Sequence, residues 1–279
     1  MFGYVSNGCL IENVGITGSV CGNNQVGALV GLGFIQKDQE DNPLDGSISI
    51  DNCYSQVSVT GNGDSVGGVA GCLEGGSVAS TFNNGSVTGQ NGVGGVVGNA
   101  AAALTNCYNT GSVSGAESVG GISGVQDAPI TNAFSVGAIH ASTANGVGGI
   151  VGTLSSSAAN VSNCYYNIEV VGDAVSSAVG ANEGASLTNV EPCYTSKMTG
   201  SNAVGTNGMQ FSDASAWLTQ ENTDVTAYYP HLATQPQETA SYTAYHTLNI
   251  NRSAEDYQVQ TMNGYDPNGM VAHGGNYQF

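Results

Sequence analysis

A single phrase, Val-Gly-Gly-(Val/Ile)-x-Gly, recurs along this chain at nearly constant spacing and restricts what the chain can fold into. It stands at Val66–Gly71, Val93–Gly98, Val119–Gly124 and Val147–Gly152, preceded by a looser copy, Val26–Gly31. Successive starts lie 40, 27, 26 and 28 residues apart. Self-similarity at such a period marks a repeat architecture, in which each unit buries its apolar face only against its neighbours.

Two further phrases travel with the first. One reads Ile50-Asp51-Asn52-Cys53-Tyr54 and returns at Val78–Phe82, Leu104–Tyr108, Ile130–Phe134, Val161–Tyr165 and Val190–Tyr194. The other follows the early copies as Gly15–Gly18, Ser58–Gly61, Ser86–Gly89 and Ser112–Gly115. Short β-branched pieces bounded by Gly, Asn and Ser read as strands, and no window of the first 200 residues carries capped helical periodicity. Three strands in about 26 residues predict one coil of a parallel β-helix, right-handed by the rule for parallel crossovers, with about 6–7 coils in a rod on the order of 30 Å.

Residue parity predicts which side chains point inward. The row through Cys53, Val57 and Val59, or Cys107, Asn109 and Val113, is small or apolar and suits a narrow interior. A bend near Asn106 lets Leu104 face inward as well, Asn being a natural turn residue. The opposite row, Tyr54, Phe82, Tyr108, Phe134, Tyr165 and Tyr194, is expected outside or at a corner. There, stacked rings would present flat faces to a glycan or a host ligand, or simply cover one another.

The 279 residues include 42 Gly, 21 acids and only three strong cations, Lys37, Lys197 and Arg252, for a formal net charge of −18. A surface so poor in cations cannot neutralise phosphates, which argues against nucleic acid and anionic membranes as partners. No run of apolar residues is long enough to span a bilayer. The opening Met1–Val5 reads as the tail of a preceding repeat, as in a fragment of a longer protein. Seven cysteines are an odd number, so one at least stays unpaired. Buried free thiols are the expected state, with Cys164 and Cys193 alone placed in adjacent coils where a bridge could form.

Two regions depart from the repeat. About residues 32–47 form an insertion with Asp38, Glu40, Asp41, Asn42 and Asp45; Pro43 stands where a helix-loop-helix calcium site needs Gly, so a solvated acidic loop is expected, with no metal. Beyond Gly200 the pattern fades and aromatics gather. The expected organisation is 1–200 repeats, 201–232 a capping segment over the last coil and 233–279 a tyrosine-rich tail with a hairpin around His246–Thr261. Ser212–Leu218 is expected as a short helix with Ser212 as its N-cap.

The best copy, Asn106–Gly115 followed by Val119–Gly124, resembles the GLUG repeat of bacterial surface proteins, whose wording is close to Asn-Cys-Tyr-x-x-Gly-x-Val-x-Gly followed by Val-Gly-Gly-Leu-Val-Gly. Phe2–Val5 with Ile11–Ile16 is similar to the first coil of such arrays, and Trp217 with Tyr229–Leu232 to the segment that closes them. The resemblance covers about residues 1–232. It implies a secreted or wall-attached, adhesin-like bacterial protein; similar repeats occur in the non-catalytic region of immunoglobulin-A-cleaving metallopeptidases.

The expected function is therefore a non-catalytic structural or adhesive module at the bacterial surface, a stiff spacer or display rod, with no cofactor. The alternatives are a self-associating filament subunit joined through solenoid ends and a glycan- or host-ligand-binding module. A polysaccharide-degrading enzyme ranks last. A lyase needs a cation and a base that three scattered cations cannot supply. A hydrolase needs paired carboxylates, and Asp51, Glu117 and Asp173 share no face. His140, His231, His246 and His273 stand alone, without a His-Glu-x-x-His sequence.

Overall fold

The computed structural model describes residues 1–40, 42, 44, 46–223, 226–235 and 241–243. Parallel strands stack into a β-solenoid of about seven turns with almost no helix. Seven strands form one sheet: Phe2–Ser6, Val30–Phe34, Ala70–Leu73, Val97–Ala100, Ser123–Gln126, Val151–Leu154 and Val179–Asn182. A twelve-stranded sheet carries the other two recurring phrases, and a five-stranded sheet carries the Val-Gly of the first phrase.

The register follows the sequence phrases. Thr81 lies beside Cys107, Cys107 beside Ala133 and Ala133 beside Cys164. All four are fully buried, and the cysteines join one continuous core with the inward Val, Leu and Ile rows. The parity reading of the interior therefore holds. Its polar members are satisfied within the stack. Asn83 Nδ2 donates to the Gly85 carbonyl at 2.7 Å and to Asn109 Oδ1 at 2.9 Å, and Asn109 Nδ2 donates to the Gly111 carbonyl at 2.8 Å. A buried amide left without such partners would cost about 1–3 kcal/mol.

The expected bend at Asn106 is a left-handed residue, φ 53°. Asn13, Asn52, Ser80, Asn132, Asn163 and Asn189 repeat it from coil to coil. Asn tolerates this conformation better than other L-residues. The side chains also pair along the axis: Asn132 Nδ2 donates to Asn106 Oδ1 at 3.1 Å, and Asn189 Nδ2 to Asn163 Oδ1 at 2.9 Å. Turning the chain there lets residues on both sides of the corner point inward.

The Gly-Gly pair answers a different demand, close approach. A Cβ on Gly94 would stand 2.7 Å from the Gly124 nitrogen and 2.8 Å from Ser123 Cα, in the next coil. A Cβ on Gly95 would fall on the Gly121 carbonyl and the Asn109 amide inside the rod. Real Cβ atoms do not sit there, so the phrase is a packing requirement of the corner.

Several alignments differ from the sequence reading. In the first full coil, Val20-Cys21-Gly22, not Ile16-Thr17-Gly18, lies beside Val59-Thr60-Gly61. In the last coil Cys164 lies beside Val190 and Asn167 beside Cys193, so Leu187–Glu191 is the true copy and Val190–Tyr194 is out of step by three residues. Three is an odd shift, which puts Cys193 on the other face from Cys164. Cys164 belongs to the interior core and Cys193 to an outer cluster, and all seven cysteines are free. The adjacent-coil bridge is thereby ruled out.

The insertion packs back on the first coil. Asn7 grips it, its Oδ1 accepting from the Gln36 nitrogen at 2.6 Å and its Nδ2 donating to the Leu44 carbonyl at 2.8 Å. Asp38 braces the loop from within, its Oδ1 accepting from the nitrogens of Glu40 and Asn42 at 2.8 and 2.9 Å. Those bonds hold the Asp38 carboxyl below its ordinary value. Asp41, Pro43 and Asp45 lie outside the described residues, as do His246–Thr261 and their expected hairpin.

Candidate functional site: an aromatic ladder under a strap

The aromatic row is a geometric ladder on the outer face of the twelve-stranded sheet. Parallel, in-register pairing places Tyr54 beside Phe82, Phe82 beside Tyr108, Tyr108 beside Phe134 and Phe134 beside Tyr165. Rings on neighbouring strands then stack face to face. Centroids of Tyr54 and Phe82 are 5.4 Å apart, those of Phe82 and Tyr108 4.6 Å and those of Tyr108 and Phe134 5.0 Å, with planes within 11° of parallel. Such pairs contribute about 0.5–1.5 kcal/mol each beyond the area they bury.

The ladder does not face solvent. Phe82, Tyr108, Phe134 and Tyr165 are each at most 2 % exposed, and only Tyr54 at the ladder's N-terminal end is half-buried. Tyr194, the sixth residue of the expected row, is exposed and lies off the ladder, because the last copy is out of step; Glu191 occupies the ladder position beside Tyr165. The outward direction of the row is as parity predicts, but the surface it was expected to offer a ligand is already covered.

The cover is the C-terminal segment. It was expected as a cap over the last coil; instead it folds back as a strap along the rod's side. Met198, Met209, Phe211, Trp217, Tyr229 and Leu232 pack with the ladder into one outer cluster. Trp217 lies against Tyr108 and Phe134 at 6.0 and 5.5 Å between centroids, and Phe211 stacks on Trp217 at 4.6 Å. At the far end Gln235 Nε2 donates to Asn52 Oδ1 at 2.7 Å and to the Ser80 carbonyl at 3.1 Å. The strap thus reaches from the last coil to the second.

The asparagine corner doubles as the strap's anchor line. Ser212 donates to Asn132 Oδ1 from both its nitrogen and its hydroxyl, at 2.9 and 3.0 Å. The Gln210 nitrogen donates to the Tyr165 hydroxyl at 2.9 Å, and Asn167 Nδ2 donates to the Tyr229 hydroxyl at 2.6 Å. Ser212 is consequently not a helix cap. The turn that forms is a 3-10 helix, Ala214–Ala216, capped by Asp213, whose carboxylate accepts from the Ser215 nitrogen at 3.2 Å. The sequence signal for this segment was the gathering of aromatics after Gly200, which the end of the rod and its side could equally have buried.

Titration follows burial. The Tyr108 phenol is pushed well above its usual range by desolvation. The Cys107 and Cys164 thiols are pushed up to about 12 by the same cause, and Cys72 to about 11. Thiols so held are protonated and unreactive near neutral pH. Burial lowers the pKa of His231. Beside the ladder's last ring, Lys197 Nζ bonds Glu191 Oε2 at 3.0 Å, an interaction that raises the lysine pKa, and sits 5.8 Å above the Tyr165 ring.

The acids considered for hydrolysis are not brought together. Asp51 ends a strand of the twelve-stranded sheet, Glu117 starts one of the five-stranded sheet and accepts from Asn145 Nδ2 at 3.2 Å, and Asp173 is exposed in a turn. Among the described residues no group of three His, Cys, Asp or Glu is placed to hold a metal ion. No helix of the described residues is long and apolar enough to cross a membrane.

Neither a family model nor a curated protein matches the chain. Among solved structures it is similar to the crystal structure of "a putative immunoglobulin A1 protease from Bacteroides ovatus", with a TM-score of 0.51 and 19 % identity over 83 % of this chain and 75 % of that one. At that identity the likeness carries the solenoid fold and nothing finer.

Proposed function

We propose that the chain is a non-catalytic structural module of a secreted or cell-surface bacterial protein, a stiff rod that spaces or displays other parts. The observation that carries this reading is where its side chains are spent. Inward rows fill a continuous core, polar ladders are satisfied from coil to coil, and the outward aromatic row is covered by the chain's own strap. Each repeat contributes one more rung at roughly 4.8 Å, so seven turns add about 30 Å of rigid length. The motif resemblance to surface-protein repeats supports the setting, and the fold shared with the Bacteroides chain supports the solenoid alone.

Incubation with immunoglobulin A1, followed by electrophoresis of its heavy chain, tests the reading together with small-angle scattering. The expected result is an intact heavy chain and, at low salt, a rigid, monomeric, slightly elongated particle. Heavy-chain cleavage by the purified chain would replace the spacer with an enzyme. A glycan-binding role for the aromatic row would require the strap to leave it first.

A further inference from the structure

The strap is attached in a different way from the coils it covers. Coil strands share parallel ladders, each fixed to the next through backbone hydrogen bonds. Trp217–Leu218 pairs instead with His231–Leu232, and Thr226–Tyr228 with Ser241–Thr243, in two small antiparallel sheets that join none of the coil sheets. Among the described residues, bonds from the strap to the coils run through side chains, as from Ser212 to Asn132, Gln210 to Tyr165, Asn167 to Tyr229, and Gln235 to Asn52 and Ser80, while the Tyr228 carbonyl accepts from the Gly200 nitrogen, past the last coil, at 3.0 Å. Apolar contact around Trp217 adds to them. Among the described residues the indole Nε1 of Trp217 is buried without a partner, which weakens the docked state. Near the root of the strap, Gly205, at φ +115°, sits in a turn that its own nitrogen closes on the Met209 carbonyl at 2.9 Å, and opening that turn gives the strap its pivot. An element held by side chains over its own small sheets opens as its own cooperative unit, below the free energy that unravels the coils.

We propose that residues 209–223 and 226–235 act as an exchangeable strap, and that the ladder it vacates is a docking groove for the same segment of a second copy of this chain. Lifting the strap uncovers Phe82, Tyr108, Phe134 and Tyr165 as one contiguous apolar stripe, a surface that recruits a cover. The cover that matches it ring for ring, including the Ser212 bond to Asn132, is this chain's own strap. An identical segment from a neighbour makes identical contacts, so exchange changes only the association term and the path through the pivot. The formal charge of −18 on each copy opposes the encounter, so exchange rises with salt, as screening shortens the reach of that repulsion. Dense display on one surface would favour it further. The exchange stands apart from the spacer role, which it neither needs nor replaces.

Two measurements on the full chain decide the matter. In hydrogen–deuterium exchange, amides of 209–223 and 226–235 are expected to open together, ahead of Ala103–Asn109 and Ile130–Ser135. Trp217→Ala is expected to speed the strap about a hundred-fold and leave those strands unchanged. In the second measurement, copies carrying Ser212→Cys are mixed with copies carrying Asn132→Cys in low and high salt, then oxidised and mapped by peptide mass spectrometry. An interchain 132–212 disulfide that grows with salt is the expected product. A chain carrying both substitutions supplies the intrachain bond as a geometric control. If Asn132→Cys disturbs the corner, light scattering of the unsubstituted chain replaces it, the exchanged dimer being a fraction that grows with salt and is lost on Trp217→Ala; a chain that stays monomeric at high salt would overturn the proposal. Strap amides that exchange only with global unfolding, or mixed copies that yield no interchain bond while the control forms its own, would overturn the proposal.

Discussion

Replacing Tyr108 by alanine is expected to destabilise the chain by about 4 kcal/mol, far more than a ligand-facing surface tyrosine would. Tyr108 is 1 % exposed and contacts rings on three sides: Phe82 at 4.6 Å, Phe134 at 5.0 Å and Trp217 at 6.0 Å. Truncating a buried aromatic costs about 3–5 kcal/mol in transfer and cavity terms, part of which reflects ring pairs worth about 0.5–1.5 kcal/mol each. For a chain of this size that corresponds to a fall in Tm of roughly 8–16 °C. Tyr108→Phe is expected to stay within about 1 kcal/mol, since Phe82 and Phe134 occupy equivalent rungs. Tyr194→Ala, at a residue 65 % exposed and off the ladder, should fall within about 0.5 kcal/mol. Urea unfolding is the assay, followed by far-ultraviolet circular dichroism for the coils and by fluorescence of Trp217, the sole tryptophan, for the strap. A Tyr108→Ala chain that unfolds within about 1 kcal/mol of the parent would refute the covered-ladder account, because only a solvent-facing ring can be removed so cheaply.

Three further outcomes follow from the same structure. Gly94→Ala is expected to cost more than about 2 kcal/mol, because its Cβ would meet the backbone of the next coil, whereas Gly3→Ala, with nothing within 4 Å, should be neutral; thermal melts compare them. Asn106→Ala is expected to cost about 1–2 kcal/mol, with Asn106→Gly recovering most of it, since the left-handed φ of 53° penalises a Cβ and the bond from Asn132 is lost in both. The buried thiols make stability depend on pH with a definite sign. Folded Cys107 and Cys164 keep their protons up to about pH 12, while an unfolded chain releases them from about 8.5. The folded state therefore binds more protons across that window, and stability falls as pH rises, by about 1.4 kcal/mol per unit for each thiol. Below that window the slope from these groups vanishes, which denaturant titration at pH 7, 9 and 10.5 checks.

The coil architecture was legible in the sequence because a solenoid has only nearest-neighbour rules. Val93 and Val119, or Cys107 and Ala133, sit in register because the phrases containing them repeat at nearly the coil length. Inward and outward rows follow from the period of two, and Asn106 betrays its corner by being a residue that accepts a left-handed backbone. Where copies decay, the same reasoning slips. Val190–Tyr194 imitates the Asn-Cys-Tyr phrase closely enough to mislead, yet hydrogen bonding pairs Leu187–Cys193 with Val161–Asn167, three residues away. A fading motif carries too few matching residues to set register, and one parity error moves a cysteine from the core to the opposite face.

What the sequence determined by itself, then, is what acts between one well-kept copy and the next: the parallel stack, the buried cysteine row, the asparagine corner and the alignment of the rings from Tyr54 to Tyr165. What only the tertiary structure decided is the fate of those rings. Whether an outward aromatic row meets solvent, a ligand or its own chain depends on contacts between Trp217 and Tyr108, or Gln235 and Asn52, separated by 109 and 183 residues. No period links such pairs. They form because the strap has apolar side chains to bury and the ladder is the apolar surface within its reach.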